Sequence, residues 1–294
     1  MASKGMRRFL PVLLLAAAVM SSTSRAADLT AAKAPDALPK IISLNMCADP
    51  YLMAFAEPEQ ILALSALSLD KAMSPFHQTV AQYPTTHGGI EQILALKPDV
   101  VIVSPYSSPM KQALLAQHGI AIVTLAASET FAASGAEILA LGQAIGRREA
   151  AAAYWRQLQI DTQAASQTPR ELSVLALQRR GLTAAHGHIL AEIVAMAGAQ
   201  LVTPSPRHDA GPPVALQSVN LEQAISTQAD VLLLSRPLHK PRDRGDEFLT
   251  HPALEAKFPD DKRIYLDASL SVCTGAATPL AVRQLARALH AITP

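Results

Sequence analysis

The sequence predicts an α/β protein of two Rossmann-like lobes with mainly parallel sheets, joined by a long backbone helix. Three observations predict it. Apolar strand-length runs alternate with helix-length segments from residue 40 onward, the order that gives parallel sheets. A proline-free stretch from Thr130 to Thr168, rich in Ala, Leu, Glu, Gln and Arg, interrupts the alternation with good helix formers. The segments on either side of it echo one another: Ile90-Glu91-Gln92-Ile93-Leu94 leads to Asp99 and Val100–Val103, and Leu221-Glu222-Gln223-Ala224-Ile225 leads to Asp230 and Val231–Leu234. Glu and Asp stand eight residues apart in both, a sign of duplicated architecture.

From the N-terminus, Lys4, Arg7 and Arg8 precede an apolar run from Phe9 to Met20 and a small-x-small site at Ser24-Arg25-Ala26, so residues 1–26 read as a signal peptide. The run is too short to cross a bilayer, and Cys47 and Cys273, the only cysteines, stand far from the cleavage site where a lipid would attach. The expected location is periplasmic, with residues 27–39 as a flexible lead.

The first lobe, 40–129, opens with a strand over Lys40–Asn45, a helix over Asp49–Ala56 and a strand over Ile61–Ser65, while Leu67–Pro84 has no clear period. His87-Gly88-Gly89 introduces the Glu91 helix and the Val100–Val103 strand. A helix over Pro109–His118, stopped by Gly119, and a strand over Ile120–Leu125 follow. In the connecting region, 130–168, Gly142 and Gly146 divide the helical stretch into one helix ending near Ile145 and a straighter one from Arg147 to Gln167, about 30 Å long. The second lobe, 169–294, restarts with a strand over Leu172–Leu177, a polar loop over Gln178–Thr183, a helix from His188 to Ala197 and a strand over Gln200–Thr203. The Glu222 helix, the Val231–Leu234 strand, a charged loop over Arg236–Asp246, a strand over Arg263–Asp267 and a helix over Thr278–Ala291 complete it.

Composition narrows the function. At 294 residues and 50% hydrophobic, the chain can bury a large core. A net charge of +1, with no basic aromatic tract, gives no reason to expect nucleic acid. No Gly-x-Ser-x-Gly elbow, phosphate loop, His-Glu-x-x-His or Gly-x-Gly-x-x-Gly fingerprint occurs. The sequence therefore offers nothing positive for an enzyme, although an exported enzyme or a ligand sensor on the same fold stands as the alternative.

Ile41-Ile42-Ser43-Leu44, the stretch Ile90 to Val103 containing Ala95-Leu96-Lys97-Pro98-Asp99, and Leu114 to Leu125 resemble the periplasmic substrate-binding components of ABC importers for iron-siderophores, haem and cobalamin. Glu192–Val202, Leu221–Leu234 and Ile264–Asp267 match more loosely. The resemblance implies two lobes on a stiff helix, a ligand held between them, and a monomer that delivers its cargo to a permease dimer without entering the membrane. It implies that Glu91 and Glu222 dock on the permease. The alternative for both is an acid complementing a helix dipole, with Asn220 as an N-cap.

In open α/β sheets ligands sit beyond the carboxyl ends of strands. The candidates are accordingly Asn45, Cys47, Tyr106, Arg179, Arg180, His186, Arg236 and the segment Ser269–Thr274, with Cys273 among them. Arg179 and Arg180 can pair with anionic groups on a ligand or be solvated loop charges. His186, His188 and His87 can offer imidazole to haem, or can cap and face solvent; no dedicated metal site or resident cofactor is expected. Cys47 and Cys273 leave three readings open: separate thiols lining the site, a disulfide as an oxidising compartment favours, or buried inert cysteines. Trp155, the sole tryptophan, lies on the connecting helix, and aromatics total only 4%. An iron complex or haem is accordingly favoured over a cobalamin-type ligand.

Overall fold

A computed structural model describes residues 37–126, 128–185, 187–204, 216–236 and 247–292. The signal peptide, most of the flexible lead, His186 and nearly all of the Arg236–Asp246 loop lie outside the described residues.

The first sheet is built from β1 (Ile41–Ser43), β2 (Ile61–Ser65), β3 (Thr85–Thr86), β4 (Val100–Val103) and β5 (Ala121–Thr124), in the order β3-β2-β1-β4-β5, with every pairing parallel. It is buried on both faces, which is why β4 is apolar throughout. Val100 and Ile102 enter one core with α1 (Asp49–Phe55); Val101 and Val103 enter the other with α3 (Ile90–Leu96) and α4 (Pro109–Gln117). Between β2 and β3, where the sequence has no period, lie a 3-10 turn over Ala66–Leu69 and the one-turn helix α2 (His77–Val80).

The connecting region differs from the expected end-to-end pair. Helices α5 (Phe131–Ala144) and α6 (Arg148–Ala165) fold back on one another as an antiparallel hairpin. Gly146 takes the turn at φ 72°, and Gly142 allows the approach, since a Cβ there would stand 2.2 Å from that of Ala151. Helix α6 runs from one lobe into the other. Ala151 and Leu158 pack in the first lobe and Ala165, one further heptad along, packs in the second, over a helix about 27 Å long.

The second sheet comprises β6 (Ser173–Gln178), β7 (Leu182–Ala184), β8 (Gln200–Val202), β9 (Leu216–Ser218), β10 (Val231–Arg236) and β11 (Arg263–Asp267), in the order β11-β10-β6-β7-β9, with β8 also on β6. β6, β8, β10 and β11 pair parallel. β7 and β9 run antiparallel, so the expected polar loop over Gln178–Thr183 is in fact a tight hairpin. Helices α7 (Ile189–Met196) and α10 (Thr278–Ala291) cover one face; α8 (Leu221–Ser226) and α9 (Pro252–Lys257) cover the other. No described helix is long and apolar enough to cross a membrane.

The lobes are fastened near residues 273–276. Cys47 and Cys273 form a disulfide with α-carbons 5.4 Å apart. The Tyr51 hydroxyl donates to Thr274 O at 2.9 Å, the Thr274 hydroxyl donates to Ser128 O, and Ala276 is part of the first lobe's core. Gly275, at φ 93°, leaves no room for a side chain against the Tyr51 hydroxyl. Phe131 N adds a bond to Glu192 Oε2 at 2.7 Å.

Candidate functional site

In the first sheet the strand order reverses between β1 and β4, and a ligand crevice is expected beyond the carboxyl ends at that point. A recess of about 300 Å3 lies there. Leu44 follows β1, Ser65–Leu67 end and follow β2, Thr86–Gly88 end and follow β3, and Ser107, Ser108 and Lys111 follow β4. Local hydrogen bonds set its shape. The Thr86 hydroxyl accepts from Gly88 N at 3.0 Å and donates to Gln92 Oε1 at 2.6 Å; Lys111 Nζ donates to Gly88 O at 2.8 Å. Leu67 in the wall and Tyr106 and Met110 in the adjoining β4–α4 segment are exposed, at 58%, 88% and 82%. Three large apolar side chains left to solvent beside a recess suit a ligand with an extended apolar face.

Beneath this wall, Asp49 is fully buried at the start of α1. Its carboxylate accepts from Ser65 N at 3.1 Å and from the Ser68 hydroxyl, tying the segment after β2 to α1. Desolvation pushes its carboxyl up to about 7, against the lowering effect of bonds from Ser43, Ser68 and Ser65.

The expected ligand residues separate into distinct roles. Asn45 is buried: Nδ2 donates to Val103 O at 3.3 Å and Leu125 O at 3.2 Å, and Oδ1 accepts from Cys47 N at 2.9 Å. Both amide hydrogens hold the ends of β4 and β5, so Asn45 braces the floor of the crevice. Cys47 and Cys273 are bonded to each other, which rules out the separate-thiol reading. Tyr106 is exposed in the β4–α4 segment, next in sequence to Ser107 of the recess lining. Arg179 and Arg180 are exposed on the turn after β6, the latter at φ 61°, and border none of the described cavities.

His186 lies outside the described residues, as does the Arg236 side chain at the end of β10. His188 caps α7, its Nδ1 accepting from Leu190 N at 3.1 Å, and burial holds it below the usual imidazole pKa. His87 borders the recess. Among the described residues no three His, Cys, Asp or Glu side chains gather to hold a metal ion. Glu91 and Glu222 are exposed in the first turns of α3 and α8. Helix α3 starts just past the carboxyl end of β3. Helix α8 starts beside the carboxyl end of β6, where Val219 N donates to Gly181 O at 2.8 Å. Both carboxylates therefore lie on the strand-end side of their lobes.

The sequence reading missed Leu67, Thr86, Ser107, Ser108 and Lys111. Their signal was positional, each sitting at or just beyond a strand's carboxyl end, but β3 is two threonines long and gave no apolar run from which to count.

Residues 41–267 match the profile of a family described as periplasmic binding proteins. The chain belongs to that family. Solved periplasmic binding proteins share its fold. The haem-binding protein HutB of Vibrio cholerae aligns with a TM-score of 0.69 at 19% identity, over 85% of this chain and 98% of its own. The haem-binding protein BhuT, solved with two haems, gives 0.66 at 21% over 87% and 99%. The vitamin B12 binding protein BtuF of Vibrio cholerae gives 0.58 at 23% over 85% and 96%. A search of curated proteins finds no match. In this chain the disulfide joins the segment that follows β1 to the segment that follows β11.

Proposed function

We propose that this periplasmic binding protein captures an iron complex, haem or a ferric siderophore, between its lobes and delivers it to the permease dimer of an ABC importer. The observation that carries the reading is the strand-end recess at the β1/β4 reversal, with Leu67, Tyr106 and Met110 exposed around it and Lys111 inside. Such a wall supplies an apolar plate for a macrocycle or catechol-type ligand and a cation for its anionic edge. The neighbours titled as haem-binding proteins support the cargo class, and BtuF keeps a cobalamin-type ligand in the comparison. The sole tryptophan argues against it, being packed on Phe131 at 4.9 Å between ring centroids within the helical hairpin.

Thermal-shift and absorbance titrations with haemin, ferric siderophores and cobalamin test the assignment, because a ligand bound only by the folded state raises Tm. Saturable binding of an iron complex that weakens at least tenfold in Leu67→Asp or Lys111→Glu is expected. No binding of any iron complex, or cobalamin alone, would overturn it.

Glu91 and Glu222 are the proposed docking charges, giving orientation and association rate more than affinity. Periplasmic location fits the family and the exported N-terminus read from the sequence. The double variant E91A/E222A is expected to keep ligand affinity and to lose ligand-stimulated ATPase activity of the reconstituted importer; unchanged stimulation would remove these residues from the docking role.

A further inference from the structure

Among the described residues Asp49 is the only carboxylate that is fully buried, and it lines none of the described cavities. Its Oδ2 instead grips both ends of one short turn: Ser65 N, closing β2, at 3.1 Å, and the hydroxyl of Ser68, itself fully buried. Between these two points the 3-10 turn Ala66–Leu69 puts Leu67 out to solvent in the wall of the recess. Ser43, buried at the end of β1 and next in sequence to Leu44 of the recess, faces the same carboxylate. Within the turn, Leu67 N donates to the Ser65 hydroxyl at 3.3 Å and Asp70 N to Leu67 O at 3.2 Å, local bonds that do not tie it to the rest of the lobe.

The groups facing the carboxylate are a backbone N–H and serine hydroxyls, with no cation among them. Along the following segment Asp70 Oδ1 accepts from Ala72 N at 2.8 Å, His77 Nδ1 stands 3.2 Å from Ser74 O, and Lys71 borders a cavity with Asp267. On α1 itself the Tyr51 hydroxyl donates to Thr274 O, and from α6 Arg147 donates to Phe55 O at the other end of the helix. A buried carboxylate without a cation takes up a proton near neutral pH, and burial holds this one up at about 7. Protonation replaces a charged acceptor by a neutral one, whose hydrogen bonds are roughly half as strong.

We propose that Asp49 is a positioning residue with a proton-controlled grip: ionised, it holds the Ala66–Leu69 turn and keeps Leu67 in the recess wall; protonated, it lets the turn loosen and the cargo leave more readily. The effect on cargo rests on the recess being the cargo site, whereas the effect on the turn does not. By linkage, a bound state that needs the turn held favours the ionised form, so affinity rises with pH through the titration of this carboxyl.

Hydrogen exchange of the unliganded protein from pH 5 to 8, expressed as protection relative to the intrinsic rate at each pH, tests the grip. For residues 65–70 protection is expected to rise at least threefold over that range in the wild type and to stay level in Asp49→Asn, whose amide does not titrate. Ser68→Ala removes a donor that favours the ionised form and should move the midpoint of the rise to higher pH, a displacement that a merely structural serine would not produce and that decides the matter should Asp49→Asn fail to fold. The ratio of wild-type to Asp49→Asn affinity for haemin, or for a ferric tris-catecholate where haemin does not bind, should fall at least threefold from pH 8 to 5, the ligand's own titration cancelling. Level protection in the wild type, an equal rise in Asp49→Asn, or an unmoved midpoint in Ser68→Ala would overturn the proposal. A responsive turn with a constant affinity ratio would overturn its link to cargo. Failure of both iron complexes to bind would count against the recess as cargo site and leave exchange to decide the role of Asp49.

Discussion

The two lobes use the same helix–Asp–strand unit and build different sheets around it. In the first, Asp99 precedes β4 and its carboxylate accepts from Lys40 N, just ahead of β1, at 2.6 Å. In the second, Asp230 precedes β10 and accepts from Ser173 N at 2.8 Å and the Ser173 hydroxyl at 2.6 Å, at the start of β6. β4 lies on β1 as β10 lies on β6. The repeated Glu-to-Asp spacing thus marks one device used twice: a carboxylate that fixes the register of the lobe's first strand against its neighbour. The lobes part at the next step. After β1 the chain enters α1 and returns parallel, leaving a crevice; after β6 it turns back at once into β7. A repeated unit fixes the framework of each lobe, and the connection after the first strand decides whether that strand's carboxyl end leads to a helix and a parallel neighbour or to a hairpin.

The comparison can be broken at several places, the seam being the most severe. C47S/C273S removes the disulfide between the lobes, and is expected to cost about 2–5 kcal/mol in denaturant unfolding. A loss below 1 kcal/mol would mean that the non-covalent contacts at the seam hold the lobes without the disulfide. Gly142→Ala forces a methyl into Ala151 across the hairpin and should cost about 1–3 kcal/mol. An unchanged Tm would show that α5 and α6 separate easily.

Smaller effects sharpen the contrast between lobes. Asn220 caps α8, its Oδ1 accepting from Gln223 N at 2.8 Å, whereas α3 starts at Gly89 with no side-chain cap. Asn220→Ala should therefore cost about 1 kcal/mol and Gly89→Ala only a few tenths, by chemical denaturation. The two lobes also answer pH with opposite sign. Asp49 has a folded pKa of about 7, above that of an unfolded carboxylate, so the folded state binds the extra proton and stability declines as pH rises from about 4 to 7. The Ser173 hydroxyl and backbone hold Asp230 below its usual value, so its contribution is present at neutral pH and lost on acidification through that lowered pKa. Tm measured from pH 4 to 8 should fall less steeply in Asp49→Asn than in the wild type; parallel profiles would contradict the burial of that carboxyl.

Much of this was legible in the chain. Continuous apolar runs such as Val100–Val103 and Val231–Leu234 are buried on both faces, and their pattern betrays it. The strands that escaped detection are short or polar: Thr85–Thr86, Leu182–Ala184 and Leu216–Ser218 carry too few apolar positions to register as periodic. Function was harder to place, because side-chain type does not reveal direction. Asn45 follows a strand as a ligand residue would, yet its amide is turned inward to the backbone. Pairing of Cys47 with Cys273 depends on how two lobes meet across 226 residues, which no local pattern encodes.

Hydrogen–deuterium exchange with and without a bound ferric ligand tests most directly whether the cargo is held between the lobes. Protection of residues 65–69, 86–88 and 104–111 in the first lobe together with 178–182 and 267–274 in the second is the expected result. Protection confined to one lobe, or found only away from the strand ends, would contradict a cargo held between them.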